Sequence, residues 1–120
     1  MKVPGPDHPI TIVPEARRVR VVVSGVPVAD SRNALRLQEA DYQPVFYVPR
    51  SDIRSSCFVA SQRSSHCPYK GDAHYFDLVV DGTRRPDAVW SYEDPFPAVA
   101  AIRGHVAFYP DRVDAIVVED

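Results

Sequence analysis

Tyr75-Phe76-Asp77-Leu78-Val79-Val80-Asp81-Gly82 sets the architecture of this 120-residue chain. Six residues rich in aromatic and aliphatic strand formers run into Asp-Gly, a pair that tolerates positive φ and closes hairpins. Ala88-Val89-Trp90-Ser91-Tyr92 follows with the same character and is the expected antiparallel partner. Further on, Pro97 to Arg103 predicts a short helix, with proline in its first turn and Gly104 just past its end. His105 to Tyr109 reads as a strand, Pro110-Asp111 as a turn, and Asp114 to Val118 as a last strand.

The same grammar holds upstream. Val19, Val21 and Val23 alternate with Arg18, Arg20 and Val22, a strand pattern. Ser24-Gly25 turns the chain into a second arm at Val26 to Ala29. Leu35 and Leu37 alternate with Arg36 and Gln38, and Val45 to Val48 is a short strand bounded by Pro44 and Pro49. Ser51 to Arg54 suits one capped helical turn. Cys57 to Ala60 reads as a short strand and Ser61 to Gly71 as a loop, with Arg84-Arg85 a loop extension beyond a hairpin. Prolines at 4, 6, 9 and 14 predict an extended, loosely attached segment over residues 1–15, with one ordered domain over 16–120. The expected fold is mainly β: a compact single domain of short antiparallel sheets, with one short helix near 97–103.

Composition narrows the function. At 45% hydrophobic and 25% charged residues, the chain belongs with soluble globular domains, and its length suits one core without staples. A net charge of −2 gives no bulk attraction to nucleic acid or to an anionic membrane, so neither is an expected partner. No apolar run reaches membrane-span length and no signal-peptide pattern opens the chain, so a cytoplasmic location is expected. Cys57 and Cys67 are then expected to be free thiols. No Cys-x-x-Cys pair exists, so structural zinc is not expected.

Chemistry concentrates in His66-Cys67-Pro68-Tyr69-Lys70-Gly71-Asp72-Ala73-His74-Tyr75. Of fourteen basic residues, only Lys2 and Lys70 are lysines. A compact ammonium in an otherwise Arg-using chain suggests a site that needs a point charge. Gly71 permits the tight turn that would present it. Cys67, flanked by His66 and Lys70, has neighbours able to stabilise a thiolate; its other reading is a small buried hydrophobe. Cys57 would serve as a resolving thiol only if the fold brought it close. Arg50, just after the strand that ends at Pro49, is placed either to hold an anion or to form a salt bridge with Asp52 or Glu39. Tyr47, Tyr75, Tyr92 and Trp90 lie on separate strands, as pocket wall or as core. His74 and His105 read as structural, with His66 or His74 the expected proton carrier if a bound ligand reacts. Glu93-Asp94 offers paired carboxylates or a turn. Phosphate-cradling glycine loops and nucleophile elbows are absent.

Four ordered blocks together resemble a known family. They are Pro44-Val45-Phe46-Tyr47-Val48-Pro49-Arg50-x-Asp52-Ile53, then Cys67-Pro68-Tyr69-Lys70-Gly71-x-Ala73-x-Tyr75, then Trp90-Ser91-Tyr92, then Val106-Ala107-Phe108-Tyr109-Pro110. This combination is similar to the bacterial domain of unknown function 427 family. The resemblance implies an all-β domain of coiled sheets, related to the Mss4-like or β-tent architecture. It puts Arg50, Cys67, Lys70, Gly71, Tyr75 and Trp90 at motif positions of a shared pocket. The family also carries a nucleotidyltransferase label, whose chemistry requires Asp72, Glu93 and Asp94 to gather around Mg²⁺ beside a phosphate loop.

The leading expectation is a domain that binds a small phosphate- or carboxylate-bearing molecule. Lys70 and Arg50 would grip the anion, Tyr47, Tyr75 and Trp90 would form the wall, and Gly71 would allow close backbone approach. The alternatives are a thiol enzyme with Cys67 as nucleophile and His66 as proton carrier, and a non-catalytic module pairing through exposed sheet edges. The sequence leaves the ligand, the cofactors, any catalysed reaction and the oligomeric state unassigned.

Overall fold

A computed structural model covers all 120 residues. Ten strands form two antiparallel sheets. They are β1 (Ile10–Pro14), β2 (Arg18–Val23), β3 (Val26–Ser31), β4 (Leu35–Glu39), β5 (Val45–Pro49), β6 (Phe58–Cys67), β7 (Gly71–Val80), β8 (Thr83–Tyr92), β9 (His105–Phe108) and β10 (Ala115–Glu119). The larger sheet runs β1-β4-β5-β9-β8-β7-β6 and the smaller β10-β2-β3. The mainly-β expectation holds, and the Asp81-Gly82 hairpin pairs β7 with β8 from Val80↔Thr83 to Ala73↔Tyr92.

Strand alternation gives the larger sheet two apolar faces. Val48, Leu78, Val89, Val106 and Phe108 face the smaller sheet and pack with Val19, Val21, Val23 and Val28. Leu37, Tyr47, Tyr75, Tyr92 and Ala107 face the other way. There they meet Val99 and Ile102 from the 3-10 segment Pro97–Ile102. That segment is the short helix expected at 97–103, wound tighter than α and kinked at Val99.

The structure corrects several expectations. The N-terminal segment is built in: β1 pairs with β4 from Ile10↔Glu39 to Pro14↔Leu35, and the Lys2 amide donates to the Pro68 carbonyl at 2.7 Å. Proline is tolerated there because β1 is an edge strand. The loop expected at 61–71 is mostly strand. β6 runs ten residues to Cys67 despite its polar composition, because its side chains are largely solvent-exposed at the other edge of the sheet while its backbone pairs with β7. Arg84 and Arg85 likewise lie within β8. The turn after Pro49 is a 3-10 segment, Arg50–Asp52, without a side-chain cap from Ser51.

One irregularity matters for the site. β5 and β9 pair only at Val48↔Val106 and Pro49↔His105. Towards Val45 the two strands are not laddered. No helix is long and apolar enough to cross a membrane.

Candidate functional site

Lys70 is positioned by the reversal that joins β6 to β7. Cys67 pairs with Gly71, the Lys70 amide donates to the Cys67 carbonyl at 3.3 Å, and the Phe96 amide donates to the Lys70 carbonyl at 2.9 Å. Gly71 has φ +111°, and a Cβ there would sit 3.4 Å from the Asp94 carbonyl oxygen and 3.7 Å from the Phe96 amide nitrogen. The turn therefore requires glycine. It drives Lys70 inward, leaving the residue only 8% exposed.

The buried ammonium meets Glu39 at the end of β4, donating to its Oε1. The other carboxylate oxygen lies 2.7 Å from His8 Nε2, and the His8 ring stacks on Tyr69 with centroids 4.1 Å apart. Burial by itself would raise the Glu39 pKa, but hydrogen bonds and charge from Lys70 and His8 outweigh it and hold the carboxyl below its ordinary value. The N-terminal segment thus forms part of the site through His8.

Beside this ion pair is a cavity of about 220 Å³. Lys70 and Glu39 form its charged wall; Tyr47, Tyr75, Tyr92, Tyr109 and Trp90 form its aromatic wall, with Tyr42 also lining it. Most of the phenols are held. Trp90 Nε1 donates to Tyr47 Oη at 3.2 Å, Ser65 Oγ and Tyr75 Oη are 2.7 Å apart, and Tyr109 Oη donates to Tyr75 Oη at 3.4 Å. Burial pushes the Tyr47 and Tyr92 hydroxyls far above the usual phenol range. Burial and the Tyr75 hydrogen bond push Tyr109 up to about 12. All three are neutral donors at physiological pH.

Tyr92 differs from its neighbours. The residue is 6% exposed, yet its hydroxyl bonds to nothing in the protein. Every fully enclosed side-chain polar atom has a partner. The Tyr92 hydroxyl is therefore not fully enclosed, and Tyr92 lines the cavity.

The fold brings Lys70, Tyr47, Tyr75 and Trp90 to one hollow, with Gly71 shaping the turn behind it. It does not bring Arg50 there. Ser91 lies between Trp90 and Tyr92 on β8, so it points to the opposite face of the sheet. Arg50 donates to Ser91 Oγ at 3.2 Å, pairs with Glu93, and lies over the Phe76 ring at 5.2 Å. It lines a separate hollow with Ile53, Phe58 and Val106. The expected two-cation grip is therefore corrected: the guanidinium and the ammonium lie on opposite faces of the larger sheet.

The proposed catalytic pair is also dispersed. Cys67 Sγ is 3.6 Å from Lys70 Nζ but is not on the cavity wall. His66 is exposed and bound to Asp72, with Nδ1 and Oδ1 2.7 Å apart. Cys57 precedes β6 and Cys67 ends it, so the strand separates them by about 30 Å and rules out a resolving role. Sequence reading missed Glu39, His8 and Tyr109 as members of the site. The signal for Glu39 lay in its spacing: Leu35, Leu37 and Glu39 share one face of β4, and a carboxylate in line with two apolar residues needs a buried partner.

The family model described as a domain of unknown function, DUF427, matches residues 11–119. The chain belongs to the DUF427 family. No curated protein matches it. The DUF427 match begins inside β1, so the domain takes in a strand that the prolines had suggested lay outside it. Within this DUF427 domain the carboxylates needed for nucleotidyl transfer are committed apart: Asp72 to His66, Glu93 to Arg50 and Asp94 to Arg103. No three His, Cys, Asp or Glu side chains are grouped to hold a metal ion. These residues do not fit a Mg²⁺ centre.

Proposed function

We propose that this DUF427 domain binds a small planar molecule with a carboxylate or carbonyl head in the cavity beside Lys70. The observation that carries this reading is the Tyr92 hydroxyl, nine-tenths buried, without an internal partner, in a cavity also lined by the Lys70 ammonium. Ammonium and high-pKa phenol are both donors, so the ligand must supply acceptors. Size limits the rest. An engineered cavity of about 150 Å³ accepts benzene; at about 220 Å³ this one suits a single ring plus a polar head. Edge-to-face and stacking contacts from Trp90 and the tyrosines favour a flat ring.

A buried ion pair is a poor source of stability, since apolar residues of similar volume commonly do as well or better. Its position against an aromatic cavity supports a binding role for Lys70 and Glu39. One ammonium instead of the expected two cations favours a singly charged head over a polyphosphate. Calorimetric titration with benzoate and with its neutral analogue benzamide tests the reading. Benzoate is expected to bind wild type and to lose about tenfold in affinity with Tyr92→Phe, the effect of about one hydrogen bond to a charged group. Equal affinity of wild type and Tyr92→Phe for both compounds would refute it.

A further inference from the structure

A second hollow, of about 180 Å³, lies on the opposite face between the two sheets, lined by Val19, Val21, Phe46, Phe108 and Ile116 among others. Eight of its eleven lining residues are hydrophobic and none is charged. Gln43, Val45 and Trp90 line both hollows. This sharing has a cause in the topology. β5 and β9 are laddered only at Val48↔Val106 and Pro49↔His105, so no hydrogen-bonded ladder closes the sheet between Val45 and Phe108. Trp90 and Val45 border both hollows beside this unladdered stretch, and Gln43, which borders both as well, is exposed.

From this we infer that the two hollows are one bipartite site, and that the ligand is an amphipathic carboxylate. Its planar polar head lies against Lys70 and Tyr92, and its short apolar tail passes the β5–β9 gap into the space between the sheets. This rests on the single-ring reading of the aromatic cavity and extends it. Three features support it. The two volumes, about 220 and 180 Å³, together reach the range of roughly 300–1,000 Å³ typical of small-molecule sites, which neither attains alone. The polarity is graded, with every charged group on the head side. The junction residues are shared, so a tail leaves the first hollow without crossing a hydrogen-bonded ladder.

The test uses the chain's only tryptophan, which stands at the junction. Quenching or enhancement of Trp90 fluorescence reports the titration of benzoate and its para-methyl, ethyl, propyl, butyl and hexyl derivatives. Affinity is expected to rise about fourfold for each of the first few methylenes, equivalent to about 0.8 kcal/mol each, and then to level off when the apolar hollow is full. Ile116→Phe, which fills that hollow from the half-buried edge strand β10, is expected to abolish the tail gain and leave benzoate affinity unchanged. Circular dichroism checks that the variant is folded, and the wild-type series stands alone if it is not. Benzoate binding with a flat alkyl series, or a tail gain that survives folded Ile116→Phe, overturns the bipartite site and leaves the head reading intact. Failure of every member to bind overturns both.

Discussion

Replacing Tyr47 and Tyr92 by phenylalanine, one at a time, separates structural phenols from a ligand-facing one. Both residues are buried, both line the same cavity, and both substitutions delete one oxygen. Their hydrogen bonding differs. The Tyr47 hydroxyl accepts from Trp90 Nε1 at 3.2 Å, so Tyr47→Phe leaves an indole N–H without its partner. That should cost about 1 kcal/mol, or about 3–5 °C in Tm for a domain of this size. Tyr92→Phe breaks no internal bond and relieves a phenol of which burial is the main perturbation. Its stability should stay within about 0.5 kcal/mol of wild type, or rise. Urea denaturation gives the free energies, and benzoate calorimetry gives the affinities. The expected pattern is crossed: Tyr47→Phe is less stable, whereas Tyr92→Phe is stable but binds about tenfold more weakly. If Tyr92→Phe loses as much stability as Tyr47→Phe, its hydroxyl has an internal partner and the argument for a ligand-facing donor collapses.

Glu39→Gln should cost about 2–4 kcal/mol at neutral pH, because it strands Lys70 in a largely buried setting. Since Glu39 titrates below its unfolded value of 4.5 in the native state, its contribution is full above that value and disappears as pH falls through the lower native one. Urea midpoints of wild type and Glu39→Gln measured from pH 7 to pH 3 should therefore converge at the acid end; a constant gap would count against the ion pair. Gly71→Ala places a side chain at φ +111° beside the Asp94 carbonyl, and a loss of about 1–3 kcal/mol by denaturation is expected; an unchanged midpoint would contradict the turn geometry. Arg50→Ala removes a solvent-exposed pair with Glu93 worth less than about 1 kcal/mol. It should leave benzoate affinity within twofold, and a larger loss by calorimetry would return Arg50 to the site.

The β character of the chain was legible wherever one face of a strand is buried. Val19, Val21 and Val23 alternate because the intervening residues are less buried, and β7 with β8 shows its hairpin through Asp81-Gly82. Legibility failed at the sheet edges. β1 carries a proline and β6 is mostly polar, and both are strands because a neighbour supplies the ladder, a tertiary fact that composition does not encode. The site followed the same division. The scarcity of lysine and the Gly71 turn marked Lys70, and strand spacing marked the aromatic wall. Arg50 has the type and the position after a strand that suit an anion site, so composition alone groups it with them. Only the register of Ser91 between Trp90 and Tyr92 reveals that it emerges on the other face. Glu39 and His8 are 31 residues apart in sequence, so their contact waits on the pairing of β1 with β4.

That pairing also explains why a charged pair persists in so small a core. Glu39 closes the register of β1 on β4 at Ile10, orients His8 through one oxygen, and holds Lys70 through the other. Lys70 in turn is fixed by a reversal that only Gly71 permits, and the Phe96 amide anchors the same turn to the segment covering the aromatic face. Three separate pieces of chain thus converge on one carboxylate, and the aromatic cavity opens beside it. An apolar trio would pack these pieces as well with less desolvation. What it would lack is a cationic side chain on the wall of the hollow that Tyr92 also lines. The ion pair fixes the Lys70 side chain below the surface, beside the aromatic cavity, which is the placement the proposed carboxylate or carbonyl ligand requires.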